Sequence, residues 1–132
     1  MYTFQKEERL CSRKYLDLLF KNGSSFLLYP FRISYLFIDQ AADVQAQVVI
    51  NVPKKRYKRA VDRNLLKRRI REVYRLNKQK SFYTQLPEDR GLLLFSIQFI
   101  GKEKYDYAFL EKRMLATFKR FKNLIQPNED HK

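Results

Sequence analysis

A dense run of positive charge in the middle of the chain, residues 54–80, limits what this sequence can fold into more than any other feature. The run holds 13 Lys or Arg against only Asp62 and Glu72, so it carries +11 of the chain's formal net charge of +14. No Pro or Gly interrupts residues 61–78, and their types favour or tolerate a helix. Because buried charges need partners, the run predicts a long helix with one exposed cationic face.

The periodicity of this segment separates the two faces of the helix. At about 100° per residue the apolar side carries Leu65, Leu66, Ile70, Val73 and Leu76, with Tyr74 at the border. The opposite, cationic side carries Asn64, Lys67, Arg68, Arg71, Arg75 and Lys78. We expect Asp62 to cap the start of the helix.

Two interpretations of the cationic face are open. A charged helix face is ordinarily just solvated. Here, however, like charges at i, i+4 repel, and Glu72 alone offers local neutralisation. We therefore expect a polyanion as partner, and charge density of this kind is typical of nucleic-acid-binding proteins.

The rest of the chain predicts one α+β domain over residues 1–132, with an ordered core at about 9–124 and a tail at 125–132. Residues 10–22 have helical spacing, with Ser12 as the expected cap and Gly23 expected in the left-handed conformation. Residues 24–38 and 45–52 alternate with period two, and we expect them to pair as adjacent antiparallel strands, with a bend at Pro30.

Two apolar segments complete the predicted core. Residues 91–100 are almost continuously apolar, as in a strand that is buried on both faces. The strand–helix–strand order of residues 44–100 therefore predicts a crossover unit in a mixed sheet. Residues 107–124 predict a last helix, which contributes Leu110, Met114, Phe118 and Phe121 to the core.

Composition excludes several classes of protein. An apolar content of 45% with 11 Phe and 9 Tyr argues against disorder. The sequence contains no run of 18 or more apolar residues, so we expect no membrane span. Residues 1–9 lack the apolar core of a secretory signal. The lone Cys11 fits a reducing compartment, so we expect a cytoplasmic protein.

The sequence lacks the residues of a hydrolytic active site. The one histidine, His131, falls in the polar tail. The adjacent acidic pairs Glu7-Glu8, Glu88-Asp89 and Glu129-Asp130 lie in predicted turns or tails, where they are poorly arranged to share a metal. No set of nucleophile, base and orienting group is present, so we expect the protein alone not to be catalytic and to hold no metal itself.

The central stretch resembles the signature of a known family. Arg63-Asn64, Lys67-Arg68 and Arg71-Glu72 reproduce the spacing R-N-x-x-K-R-x-x-R-E of the bacterial ribonuclease P protein component. The resemblance continues in Lys54-Lys55 and Arg59-Ala60, and around the first helix in Arg9-Leu10 and in the run from Phe20 to Gly23. It covers about residues 9–120.

This resemblance implies a fold and a function. The fold is a four-stranded mixed sheet with three helices in the order αβββαβα and a left-handed βαβ crossover, of the ribosomal protein S5 domain 2-like type. The function is to bind a catalytic RNA and the 5′ leader of precursor tRNA, so that the holoenzyme, an endoribonuclease, removes the leader. Mg²⁺ held by the RNA, rather than by a protein site, performs the hydrolysis. No protein partner is evident.

The resemblance also implies two sets of site residues. Arg63, Asn64, Lys67, Arg68 and Arg71 correspond to contacts with the catalytic RNA, and the upstream cations and the cationic face add Lys54, Lys55, Arg59 and Arg75. The leader-binding surface is a cleft between the first helix and the sheet, for which the candidates are Tyr15, Leu16, Phe20, Arg32 and Ser34.

The chain departs from the family pattern at three places. Leu16 stands where the family usually has Phe, Leu65 stands where a polar residue is common, and Tyr57-Lys58-Arg59 replaces a loop that often contains Gly. Glu72 and Arg69 fall outside the cationic row, and we expect Glu72 to orient a neighbouring arginine.

Other classes of protein remain open at this point. A ribosomal-protein-like RNA-binding module with no role in cleavage would show the same charge and aromatic content. A membrane-surface protein is disfavoured because Leu65, Leu66 and Ile70 are needed for the core. A helix-turn-helix protein is disfavoured because the basic helix leads into a long connection and a strand.

Overall fold

The structure, a computed structural model, describes residues 4–126, which form three helices and one four-stranded mixed sheet. In chain order the elements are α1 (Arg13–Asn22), β1 (Ser24–Leu28), β2 (Phe31–Ile38), β3 (Ala46–Asn51), α2 (Ala60–Ser81), β4 (Leu92–Phe99) and α3 (Tyr107–Ile125). Short 3₁₀ turns precede α1 at Lys6–Glu8 and follow α2 at Tyr83–Gln85. The α+β class and the order αβββαβα are confirmed.

The strand order of the sheet is β1-β2-β4-β3. β2 runs antiparallel to β1 and β4, whereas β3 and β4 are parallel neighbours joined through α2, which confirms the crossover unit. The prediction that residues 24–38 and 45–52 are adjacent antiparallel strands is wrong, because β4 lies between β2 and β3. The most apolar strand, β4, lies between β2 and β3, and each of its residues except Gln98 is buried.

The main core lies on the sheet face that α2 and α3 cover. Leu66, Ile70, Val73 and Tyr74 of α2 are fully buried there, so Tyr74 belongs to the core rather than to its border. The predicted contribution of α3 is confirmed for Leu110, Met114, Phe118 and Phe121. A smaller cluster on the other face joins α1 to the sheet through Leu10, Leu19, Leu92 and Leu94.

The ends of α1 agree only in part with the predictions. Ser12 is the N-cap, because its Oγ accepts the Tyr15 backbone N–H at 3.2 Å. Gly23 ends the helix as predicted but in an extended conformation, with φ of −77°, so the left-handed prediction is wrong. A Cβ at position 23 would lie 2.4 Å from the Leu19 carbonyl oxygen, and therefore the close approach of backbones requires glycine.

The start of α2 also corrects the sequence interpretation. The helix begins at Ala60, and its N-cap is Arg59, which makes no capping hydrogen bond through its side chain. Asp62 is therefore not the cap, because the helix starts two residues before it. Its carboxylate lies in the first turn, where the helix dipole favours it, and accepts from the Lys104 ammonium at 3.2 Å.

Lys78 is the clearest exception on the cationic face. It is only 3% exposed and forms a buried ion pair with Glu8, in the segment that crosses the end of α2 before α1 begins. Helical periodicity places Lys78 on the cationic side of α2, but it contains no information about the segment that carries Glu8. Over residues 4–126, no helix is long and apolar enough to cross a membrane.

Candidate nucleic-acid interface

The outward face of α2 presents a row of cations to the surroundings. Asn64, Arg68 and Arg71 are exposed, and Lys67 is half-buried beside them. Within the described part of the chain, no ion pair engages Lys67, Arg68 or Arg71. No acidic side chain of residues 4–126 neutralises these three charges, and the spacing of the row suits a polyanionic partner.

Arg75, at the far end of the row, is held by its own helix. Its Nε donates to Oε1 of Glu72 at 3.2 Å, and its Nη2 donates to the second carboxylate oxygen. The hydrogen bonds from Arg75 lower the pKa of Glu72 below its ordinary value. The prediction that Glu72 orients a neighbouring arginine is thus confirmed.

Two further arginines of α2 direct their side chains to backbone carbonyls. Nη1 of Arg63 donates to the carbonyl oxygens of Tyr57 and Lys58, at 2.8 Å each. Nη1 of Arg69 donates to those of Tyr105 at 2.7 Å and Lys104 at 3.3 Å. Helical periodicity could not reveal these partners, because they belong to loops that are distant in sequence or irregular.

The cationic loop, residues 54–59, lies between β3 and α2. Lys54, Lys55 and Arg59 are exposed, as predicted for residues that contact RNA, and so are Arg56 and Lys58. One side of the loop faces the sheet across an open depression of about 390 Å³. Arg32 of β2 lines this depression together with Lys55 and Arg56.

A groove lies between α1 and the sheet, where the sequence predicts the leader cleft. Its volume is about 460 Å³, and its lining comprises Leu16, Phe20, Val49, Ile50, Asn51, Lys67, Ser96 and Gln98. Phe20 is 63% exposed, so its ring at the edge of the groove is accessible to a partner. Lys67 reaches this groove from α2, so the groove adjoins the cationic row.

The remaining leader candidates lie at different distances from this groove. Ser34 pairs in register with Ser96, and Arg32 pairs with Gln98, so both continue the groove floor across β2. Tyr15 is half-buried and packs against the small cluster beneath α1, outside the groove lining. The groove lining thus contains Leu16 and Phe20 but not Tyr15.

Sequence reasoning missed several polar groups of the groove floor. Ser96 and Gln98 interrupt the apolar run of β4 at alternate positions, and Asn51 ends β3 on the same face. That alternation was a readable signal, because alternate residues of a strand share one face of the sheet. The floor therefore offers hydroxyl and carboxamide groups that can hydrogen-bond to base edges.

Among residues 4–126 no cluster of three or more His, Cys, Asp or Glu could hold a metal ion. Glu88 and Asp89 are exposed in a turn, and Glu8 is committed to Lys78. Glu129, Asp130 and His131 lie outside the described residues. The described side chains can therefore bind phosphates and stack on bases, and they supply no metal-binding set.

A mixed sheet with an open, partly aromatic groove on one face, next to a helix that presents a row of cations, is typical of a class of α+β RNA-binding proteins. Within this class the chain belongs to the ribonuclease P protein family, whose model, described as Ribonuclease P, matches residues 4–122. As a member of that family it is a protein subunit that works with an RNA subunit in an endoribonuclease holoenzyme.

Individual relatives agree with the family assignment. The chain is 32% identical over 119 residues to the ribonuclease P protein component of Porphyromonas gingivalis, covering 90% of this chain and 86% of that protein. It is 36% identical over 123 residues to the same component of Petrotoga mobilis, covering 92% and 81%.

Solved structures support the same fold. The RNase P protein from Thermotoga maritima superposes with a TM-score of 0.64 at 26% identity, covering 86% of this chain and 96% of that one. The RNase P protein of Staphylococcus aureus gives a TM-score of 0.65 at 15% identity, covering 92% and 100%, which supports the fold alone.

Proposed function

We propose that this protein binds the catalytic RNA of ribonuclease P through α2 and the cationic loop, and binds the 5′ leader of precursor tRNA in the groove. The holoenzyme then hydrolyses one phosphodiester bond and releases the mature tRNA 5′ end. The observation that carries the proposal is the position of Lys67, which belongs to the cationic row and also lines the groove. One bound RNA and one bound leader would therefore meet at this side chain.

The face toward the catalytic RNA consists of Lys54, Lys55, Arg59, Asn64, Lys67, Arg68 and Arg71. The planar guanidinium of an arginine holds phosphate oxygens with two hydrogen bonds, whereas a lysine supplies a compact charge. Each phosphate that these side chains neutralise releases counterions, so affinity should fall steeply with added salt. Arg75 is already bonded to Glu72, and it would contact RNA at the end of the row as a member of this ion pair.

The groove suits a single strand better than a duplex. An exposed ring such as Phe20 can stack on an unpaired base, which contributes about 1–3 kcal/mol per base. Lys67 on one side and Arg32 on the other can neutralise the leader's phosphates, while Ser34, Ser96 and Gln98 offer hydrogen bonds to base edges. Because Leu16 replaces an aromatic ring, we propose one stacking position rather than two.

The chemistry itself is assigned to the RNA. Mg²⁺ bound by that RNA would generate the attacking hydroxide and stabilise the leaving oxygen. The protein's part is to hold the leader in register with the RNA, and the exposed thiol of Cys11 fits a cytoplasmic setting.

Reconstitution with a bacterial ribonuclease P RNA and a leader-bearing precursor tRNA tests the proposal. Leader cleavage at limiting Mg²⁺ should require the protein, and it should be lost in the double variant Arg68→Ala, Arg71→Ala. The matched control removes two exposed lysines of α3, Lys112→Ala and Lys119→Ala, and should leave cleavage unchanged. RNA binding without any stimulation of cleavage would instead indicate a ribosomal-protein-like binding module.

A further inference from the structure

The cationic loop is fixed from one side by Arg63. Both carbonyl oxygens that its Nη1 contacts, those of Tyr57 and Lys58, lie inside this loop, at 2.8 Å each. The loop also contains a tight turn, in which the backbone N–H groups of Arg56 and Tyr57 donate to the Pro53 carbonyl at 3.2 and 3.4 Å. Arg63, the first arginine of the family signature, therefore points from α2 into the loop that precedes this helix.

Tyr57 fixes the loop from a second side. Its hydroxyl donates to the Gly101 carbonyl at 3.1 Å, and its ring lies against Phe99 with centroids 6.0 Å apart. Burial raises the pKa of Tyr57 above its ordinary value, which already keeps the hydroxyl a donor at neutral pH. A Cβ at position 101 would lie 2.4 Å from the Phe99 ring, so glycine is required where the backbone passes this ring. Tyr57 thus serves as an anchor of the cationic loop.

The anchor point is itself held by α2. Arg69 donates to the carbonyls of Tyr105 and Lys104, which fixes the connection between β4 and α3 that carries Gly101. Arg63 and Arg69 therefore immobilise two loops, and Tyr57 joins those loops to each other. These contacts hold the cationic loop against α2, the helix that carries the cationic row. The loop contains five cations, Lys54, Lys55, Arg56, Lys58 and Arg59.

We propose that Arg63 is a positioning residue, which holds the cationic loop in the shape that binds RNA, and that Tyr57 completes this clamp. The inference rests on the proposed function, and it assigns Arg63 a role other than one more phosphate contact. Five neighbouring cations repel one another, so an untethered loop would spread before RNA is bound. A loop that is already ordered avoids that loss of freedom on binding, which is how preorganisation increases affinity.

The variant Arg63→Lys separates the two roles. Lysine keeps the positive charge, but its side chain is one atom shorter, so its ammonium falls short of the position between the two carbonyls that Nη1 of Arg63 occupies. Arg68→Lys is the matched control, because Arg68 is exposed and, within residues 4–126, no hydrogen bond or ion pair engages its side chain. Tyr57→Phe removes the second anchor's hydroxyl and retains its ring.

The first measurement uses the free protein and does not depend on RNA. Amide hydrogen exchange should accelerate at Arg56 and Tyr57 in Arg63→Lys, and to a smaller extent in Tyr57→Phe. The same amides should be unchanged in Arg68→Lys, and the amides of β4 should be unchanged in all three variants. Equal exchange at Arg56 in wild type and Arg63→Lys would overturn the proposal.

The second measurement is affinity for the ribonuclease P RNA. Arg63→Lys should weaken binding by about tenfold, whereas Arg68→Lys should change it by about threefold or less. The effect of Lys55→Ala should be smaller in the Arg63→Lys background than in wild type, because a spread loop no longer places Lys55 against RNA. Equal losses in the two lysine variants, with an additive effect of Lys55→Ala, would identify Arg63 as an ordinary phosphate contact.

Failure of the proposed function has a different signature. In that case none of these variants would alter RNA affinity, while the exchange measurement would still report whether Arg63 orders the loop.

Discussion

The carboxylate of Glu8 and the ammonium group of Lys78, 70 positions apart in the chain, form an ion pair that is almost completely buried. The hydroxyl of Tyr83 donates to the same carboxylate at 2.8 Å, and the Gln5 backbone N–H donates to it at 3.0 Å. This pair fastens the segment before α1 to the end of α2. Since α1 forms one wall of the groove, the pair links the position of that wall to the helix that carries the arginine row.

Removing one member of this pair should be costly. Glu8→Ala leaves Lys78 buried without its carboxylate, and such a loss typically costs about 3–5 kcal/mol of unfolding free energy. Urea denaturation followed by circular dichroism measures the loss. Glu7→Ala is the control, because the Glu7 side chain is exposed, and it should change stability by less than about 0.5 kcal/mol.

The double variant Glu8→Leu, Lys78→Met should be more stable than Glu8→Ala, because it removes both charges from the buried site. A double variant as unstable as Glu8→Ala would show that packing of this segment, rather than charge, dominates.

The same pair predicts how stability depends on pH. Burial would raise the pKa of Glu8, but hydrogen bonds from Lys78, the Gln5 backbone and Tyr83 outweigh burial, and the pKa lies below the ordinary value of 4.5. The stabilisation is therefore fully present above pH 4.5 and is lost as pH falls through the lower, folded-state pKa. Unfolding free energies of wild type and Glu8→Gln, measured from neutral pH downward, should converge in that acidic range. Parallel curves would contradict this assignment.

Phe20→Ala should weaken binding of a leader-bearing precursor tRNA to the holoenzyme by about 1–3 kcal/mol, because one stacking contact is lost. Affinity for a tRNA without a leader should not change. Since Phe20 is 63% exposed, the variant should unfold at the same urea concentration as wild type. Leu124→Ala, another exposed apolar side chain, is the control and should bind both RNAs normally. Equal losses for both tRNAs would remove Phe20 from the leader site.

Arg68→Ala with Arg71→Ala should reduce the slope of log affinity against log salt by about 2, or about 1 for each phosphate contact. Affinity for the ribonuclease P RNA, measured by filter binding across a salt series, gives this slope. Lys112→Ala with Lys119→Ala removes the same charge from α3 and should leave the slope nearly unaltered. Similar slopes for both double variants would mean that net charge, rather than the α2 surface, governs binding.

Much of the fold follows from local patterns in the sequence. The helical period of residues 61–78 and the apolar run of residues 91–100 located α2 and β4, because each pattern depends only on which side of one element is buried. Strand order could not be obtained this way. The position of β4 between β2 and β3 depends on partners that are distant in sequence. The prediction that β2 and β3 are adjacent antiparallel strands is wrong because β4, the more deeply buried strand, lies between them.

The candidate site could also be predicted only in part from the sequence. The spacing of Asn64, Lys67, Arg68 and Arg71 placed these residues together on one exposed or half-exposed face. In contrast, the partners of Arg63, Arg69 and Lys78 are loop carbonyls and a distant carboxylate, which no helical wheel contains. Charge patterns thus located the surface, and tertiary contacts decided which of its cations remain available.

Alternate residues of β4 face the groove and the main core, so the chemistry of the groove depends on the packing of the core. Ser96 and Gln98 face the groove, while Ile97 and Phe99 on the same strand face the main core. A single inserted or deleted residue within this strand would turn its apolar side chains toward the groove and its polar side chains toward the main core. The contribution of β4 to the groove can therefore change by substitutions at positions 96 and 98, but not by a change in the length of the strand.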